Sequence, residues 1–112
     1  MISVGREQFE AMVEEALASL PPGLSRMMRN VGVVVEDGTD PHLLGLYTGI
    51  PLTERNSDYS AVLPDQITIY RRAICARCDT EDEVADEVRR TVVHEVGHHF
   101  GIDDERLHEL GW

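Results

Sequence analysis

Apolar positions recur at helical spacing near the start of the chain, where Phe9, Met12, Val13, Ala16, Leu17 and Leu20 share a stripe that Pro21 and Pro22 bring to an end. This spacing predicts an amphipathic helix over about residues 5–20. The period then changes. Val31–Val35 is rich in β-branched residues and ends at the turn signal Asp37, Gly38, so it reads as a strand. Leu43–Tyr47 is a second strand candidate and Ile67–Tyr70 a third, the latter followed by a short helical stretch over Ala73–Arg77. Between them, Gly49–Asp65 holds Pro51, Asn56, Ser57, Asp58 and Pro64 with little periodicity, which predicts a long loop of the kind that often carries function.

The helical period returns at Thr80. Thr80, Glu81, Asp82, Glu83 is a capping box, in which hydroxyl and carboxylate satisfy orphan backbone N–H groups reciprocally, and the helix it opens should run to Gly101. A short final helix is expected over Asp103–Leu110. These elements predict an α+β fold: one domain across residues 1–112, with a small mixed or mostly antiparallel sheet of three or four strands. One face of that sheet would be covered by the first helix and the long C-terminal helix.

Composition narrows the function classes. The chain has 112 residues, 42% of them hydrophobic, which suits a single globular core. It carries 21 acidic residues against 10 basic ones, all arginine, for a formal charge of −11. Such a balance repels phosphate backbones, so nucleic acid is not an expected partner. The acidic runs Glu81–Glu87 and Asp103–Glu105 read first as solvated helix surface. No basic stretch followed by an apolar one opens the chain, and no apolar run is long enough to cross a bilayer, so a cytoplasmic protein without membrane contact is expected. Cys75 and Cys78 form a lone C-x-x-C without a second pair or a thioredoxin-like context, and are read as packing residues. His42 stands isolated.

The chemistry concentrates in His94, Glu95, Val96, Gly97, His98, an H-E-x-x-H pattern. Histidines one turn apart project from one face of a helix toward one point, where a single metal can bind both. Glu95, rotated by about 100° from its neighbour at 3.6 residues per turn, lies beside that point and can hold a water there. On a helical wheel Ala85, Val88, Val92, Val96 and Phe100 form the packing arc, with Glu87, His94 and His98 on the other side. Surface histidines meeting by chance are the ordinary alternative for so short a pattern.

The continuation His99, Phe100, Gly101, Ile102, Asp103, Asp104 extends it to H-E-x-x-H-x-x-G-x-x-D. In a continuous helix residue 104 would lie about 9 Å further along the axis than residue 98, beyond reach of the same ion. Gly101 supplies the necessary break, because a residue without a β-carbon takes positive φ, and the chain can return to let Asp104 complete a three-ligand site. Spacing favours Asp104 over Asp103, Glu105, His108 and Glu109. His108 and Glu109 would support the site, replace a ligand, or form an ordinary exposed pair. Gly97, costing about 1 kcal/mol mid-helix relative to alanine, reads as a position of close backbone approach between the histidines or as tolerated sequence drift, the former favoured.

With this motif the chain resembles the zincin metallopeptidases, and in particular the small bacterial minimal zincins. Softer similarities lie in Gly45, Leu46, Tyr47, in Pro51–Arg55, and in Leu63, Pro64, Asp65 leading into Ile67–Tyr70. The resemblance implies Zn2+ held by His94, His98 and Asp104, with Glu95 as catalytic base. It also implies that Ile67–Tyr70 is an edge strand against which an extended substrate pairs. One departure stands out: the spacing is that of metzincins, but nothing downstream of Asp104 can form their methionine turn, so the floor of the site must be built differently.

The mechanism implied is peptide hydrolysis, in which zinc lowers the pKa of a bound water toward about 7 and polarises a carbonyl while Glu95 moves the proton. Glu95→Gln should then retain zinc and lose hydrolysis. Tyr47 and Tyr70 are candidates for oxyanion stabilisation. The expected partner of this monomer is a peptide or protein substrate. The competing reading is a non-catalytic, zinc-stabilised module that binds a protein partner, and the presence of Glu95 argues for the enzyme.

Overall fold

The computed structural model describes residues 1–55 and 64–112. Helix α1 spans Arg6–Ala18, and the proline pair that stops it also begins a second helix that the periodicity did not reveal, α2 over Pro22–Met27. Proline at the first helical position lacks only an N–H that would go unpaired there anyway. Strand β1 is Val31–Glu36 and β2 is Gly45–Thr48. A single 3-10 turn, Leu52–Glu54, breaks the expected long loop, whose residues Asn56, Ser57, Asp58 and Leu63 lie outside the described residues. Strand β3, Asp65–Tyr70, runs directly into α3, Arg71–Ala76; α4 is Glu81–His99 and α5 is Asp104–Leu110.

The three strands form a mixed sheet in the order β1-β3-β2, with β3 parallel to β1 and antiparallel to β2. This corrects one expectation. The strand containing Ile67–Tyr70 is central, not an edge, and among the described residues β2 is the edge strand on the side of α4. The reason is visible in burial: Asp65, Ile67, Thr68 and Ile69 are buried and only Gln66 of β3 is exposed, whereas β2 alternates between partly buried and exposed positions.

Helix α4 lies across β2 and β3, with α1 packed along it. Phe9 and Val13 from α1, Val35, Ile67 and Ile69 from the sheet, and Val84, Val88, Val92 and Val96 from α4 share one apolar cluster. Val84 rather than Ala85 begins the buried arc of α4. Cys75 and Cys78 are free thiols within the same cluster, and burial pushes the Cys78 thiol up, with Glu87 and Glu83 adding to it. They fill space, as their spacing suggested. Among the described residues no helix is long and apolar enough to cross a membrane.

Candidate metal centre

The geometry of the site begins with how α4 starts and stops. Thr80 Oγ1 accepts from the Glu83 N–H at 3.1 Å, while the Glu83 carboxylate reaches one residue further back than the expected box, to the Asp79 N–H. At the other end Gly101 adopts φ +86°, its N–H bonding to the His98 carbonyl and the Ile102 N–H to that of Gly97. These two bonds form a Schellman closure, which satisfies the last carbonyls and reverses the chain. A β-carbon on Gly101 would also collide with the Thr53 side chain, so glycine is required there twice over.

Past the turn, Asp103 caps α5 by accepting from the Arg106 N–H, which puts Asp104 in the first turn facing back toward α4. Leu107, fully buried, seats α5 against α4 at Gly97, where an added β-carbon would run into the leucine side chain. Gly97 is thus a notch for a side chain of the last helix. Gly111, at φ +78°, closes α5 with the same pair of bonds that closes α4.

The result brings His94, His98 and Asp104 together, with one ligand atom from each within 4.8 Å of the others. Asp104 Oδ1 stands 3.1 Å from His94 Nε2 and 3.0 Å from His98 Nε2. A tetrahedral zinc site with bonds of about 2.0–2.2 Å places its ligand atoms about 3.3 Å apart, so this donor set fits the ion in chemistry, and the two distances from Asp104 come close to that spacing. Asp103 is occupied as a cap, His108 is exposed, and Glu109 pairs with Arg106 on the outer surface of α5. The His98 Nδ1–H donates to the Ile102 carbonyl at 3.0 Å, which fixes the tautomer and leaves Nε2 bare toward the cluster.

Glu95 is buried beside the pair, with its carboxylate against Gly45 of β2. A β-carbon at residue 45 would come within 3.1 Å of Glu95 Oε2, so the bare glycine lets the edge strand pass close over the helix. Burial pushes the Glu95 carboxyl up; the His98 and His94 imidazoles pull it down, and Asp104 raises it again. A carboxylate made more basic by its surroundings suits proton abstraction near neutral pH. The cleft, about 530 Å³, is lined by Gly45, Leu46, Tyr47, Pro51 and Glu54 as well as the cluster residues.

Sequence reasoning missed a second polar group directly behind the first. His99 is fully buried, its Nε2 accepting from the Arg29 N–H at 3.2 Å. Its Nδ1 lies 3.3 Å from Tyr47 Oη and 3.6 Å from Asp65 Oδ2. Asp65 in turn accepts from the Tyr47 hydroxyl, from Arg55 at 2.5 Å and from the Ile50 N–H at 3.3 Å. Burial alone would raise the Asp65 carboxyl, but hydrogen bonds from Tyr47, Arg55 and Ile50 and the Arg55 charge hold it below its usual value. Burial lowers His99, as does the Arg55 charge, against the pull of Asp65, so the imidazole is neutral.

Two tyrosine expectations are thereby resolved. Tyr47 lines the cleft, but its hydroxyl proton is committed to Asp65, and burial together with that carboxylate raises the phenol further. Tyr70 packs against Gly38 and lines a different hollow with Glu36 and Asp40. The signal for His99 was available: it lies three residues from Val96 and seven from Val92, on the arc that periodicity assigns to the core.

Comparison with known proteins gives a family and a similar solved structure. A profile described as zincin-like metallopeptidase matches residues 28–112. A conserved hypothetical protein from Thermus thermophilus aligns with a TM-score of 0.57 and 25% identity, covering 87% of this chain and 94% of that one. No curated protein matches the chain.

Proposed function

Because this chain belongs to the zincin-like metallopeptidase family, we propose that residues 1–112 form one catalytic domain, a zinc-dependent peptidase with Glu95 as its proton carrier. The convergence of both Nε2 atoms on Asp104, 3.0 and 3.1 Å away, carries the reading. His94, His98 and Asp104 would hold the ion. Zinc in such a site supplies Lewis acidity toward a carbonyl and toward water.

The protein's own groups do the rest. Glu95, next to His94 on the helix and enclosed by Gly45, accepts a proton from water and delivers it to the departing amine. His98 is kept in the ligating tautomer by Ile102. Among the described residues no strand pairs with β2 on the side away from β3, and an extended peptide adding there would pass over Glu95. The role expected of the third strand thus passes to the second.

The test is zinc stoichiometry of the purified protein together with chelator-sensitive cleavage of a denatured protein. Glu95→Gln is expected to bind zinc as the wild type does and to lose cleavage. Full cleavage by that variant would refute the assignment.

A further inference from the structure

His94 and His98 both present Nε2 to Asp104, which leaves Nδ1 as the atom through which each ring can be held. For His98 the holder is the main-chain oxygen of Ile102, the residue that follows the left-handed Gly101. His94 Nδ1 also has a main-chain oxygen beside it, that of Trp112 at 3.5 Å, and Trp112 follows the left-handed Gly111. A main-chain oxygen only accepts, so a bond to it requires the proton on Nδ1 and leaves Nε2 bare.

The two turns are built alike. In each, the glycine N–H bonds to the carbonyl three residues back, His98 for Gly101 and His108 for Gly111. The next N–H reaches five residues back, from Ile102 to Gly97 and from Trp112 to Leu107. That next residue's own carbonyl lies beyond the helix, available to another donor. The first turn serves a histidine of its own helix; the second reaches across from α5 to α4.

Packing at Gly97 brings the second turn to its place. Gly97 lies three residues beyond His94, on the same side of α4. A β-carbon there would collide with Leu107 and stand 3.4 Å from the Trp112 ring, so the leucine and the indole share one notch. The side chain of Trp112 thereby anchors the residue whose main-chain oxygen meets His94. A β-carbon at Gly111, by contrast, would meet nothing within 4 Å, so glycine answers there only to a φ of +78°.

We propose that Gly111 and Trp112 are positioning residues of the metal centre: the turn they form holds His94 in the ligating tautomer from α5, as Ile102 holds His98 from α4. This rests on the zinc reading above. Helix α5 then serves the site twice, through the Asp104 carboxylate at its start and through the Trp112 oxygen past its end.

The test compares wild type with Gly111→Val and Gly111→Asn. A β-branched residue resists the left-handed turn, whereas asparagine tolerates it and supplies the rescue. Zinc affinity by competition titration should fall about 10-fold in Gly111→Val, as when a ligating histidine loses its outer partner, and stay within about twofold of wild type in Gly111→Asn. Proton spectra of the Co2+-loaded proteins give a readout apart from activity. Wild type should show one solvent-exchangeable imidazole N–H resonance, shifted by the ion, from each histidine. In Gly111→Val one of the pair should exchange faster with water while the other stays unchanged. Trp112→Ala, which keeps the glycine and empties the notch of its indole, should do the same and replaces Gly111→Val if that variant does not fold. Wild-type resonances in both variants, whatever their affinity, would overturn the proposal and leave the zinc site standing. So would a single exchangeable resonance in wild type, equal losses in Gly111→Val and Gly111→Asn, or both resonances altered together. Wild-type protein that binds neither zinc nor Co2+ would instead overturn the zinc reading, and this inference with it.

Discussion

His98 and His99 are consecutive on one helix and have opposite fates. His98 stands partly exposed, one nitrogen fixed by the Ile102 carbonyl and the other bare toward His94 and Asp104. His99 is sealed from solvent, with both nitrogens engaged by Arg29, Tyr47 and Asp65. A rotation of about 100° between neighbours is enough to send one side chain to a cleft and the other into the protein. The lesson is that an ion-binding histidine needs an unsatisfied nitrogen, whereas a structural one must have none. The buried group also stands where a floor is needed: it ties β2, β3, the loop around Ile50 and the last turn of α4 together beneath the cluster.

The comparison can be broken most forcefully at Asp65. Asp65→Ala takes away the buried carboxylate that pairs with a largely covered Arg55 side chain and the acceptor shared by Tyr47 and the Ile50 N–H, so a loss of about 3–5 kcal/mol is expected in denaturant unfolding. The metal-free His98→Ala protein should unfold close to wild type, yet its zinc affinity by competition titration should fall more than about 100-fold, beyond what loss of a supporting hydrogen bond produces. Interchanged results, with His98→Ala unstable and Asp65→Ala merely weak in zinc binding, would reverse the roles. Gly97→Ala should cost about 1–3 kcal/mol, because the new methyl displaces Leu107, and should weaken zinc binding by moving Asp104.

The smallest effect sharpens the contrast through pH. The folded pKa of Asp65 is depressed, so its contribution to stability is present above the unfolded carboxylate value of about 3.9 and is lost as pH falls through the lower folded value. The stability gap between wild type and Asp65→Asn should therefore narrow below about pH 4 in metal-free protein. A gap that stays constant or widens on acidification would contradict the network drawn around this carboxylate.

Much of this was legible from local rules. The proline stop after α1, the cap at Thr80, the left-handed turn at Gly101 and the same-face placement of His94 and His98 are short-range consequences of residue type. What stayed hidden depends on contacts distant in the chain. The order β1-β3-β2 follows from which strand is most covered, and the polar atoms of β3 at Asp65 and Thr68 disguised a strand whose buried residues are Asp65, Ile67, Thr68 and Ile69. The reason for Gly97 lay further along the chain in Leu107, and that for Gly45 in Thr91 and Glu95. Strand β2 begins at Gly45 instead of Leu43 because Leu43 still belongs to the turn, its N–H bonded to the Asp40 carbonyl.

The seating of Leu107 at Gly97 has one more consequence. Asp104 is 83% exposed and has no packing of its own to hold it, yet its helix is keyed to α4 next to His98 by a wholly apolar contact. On the proposed reading the cage would be preorganised: the fold itself brings the three side chains together, so an arriving ion would meet an assembled receptor and lose little affinity to ordering it.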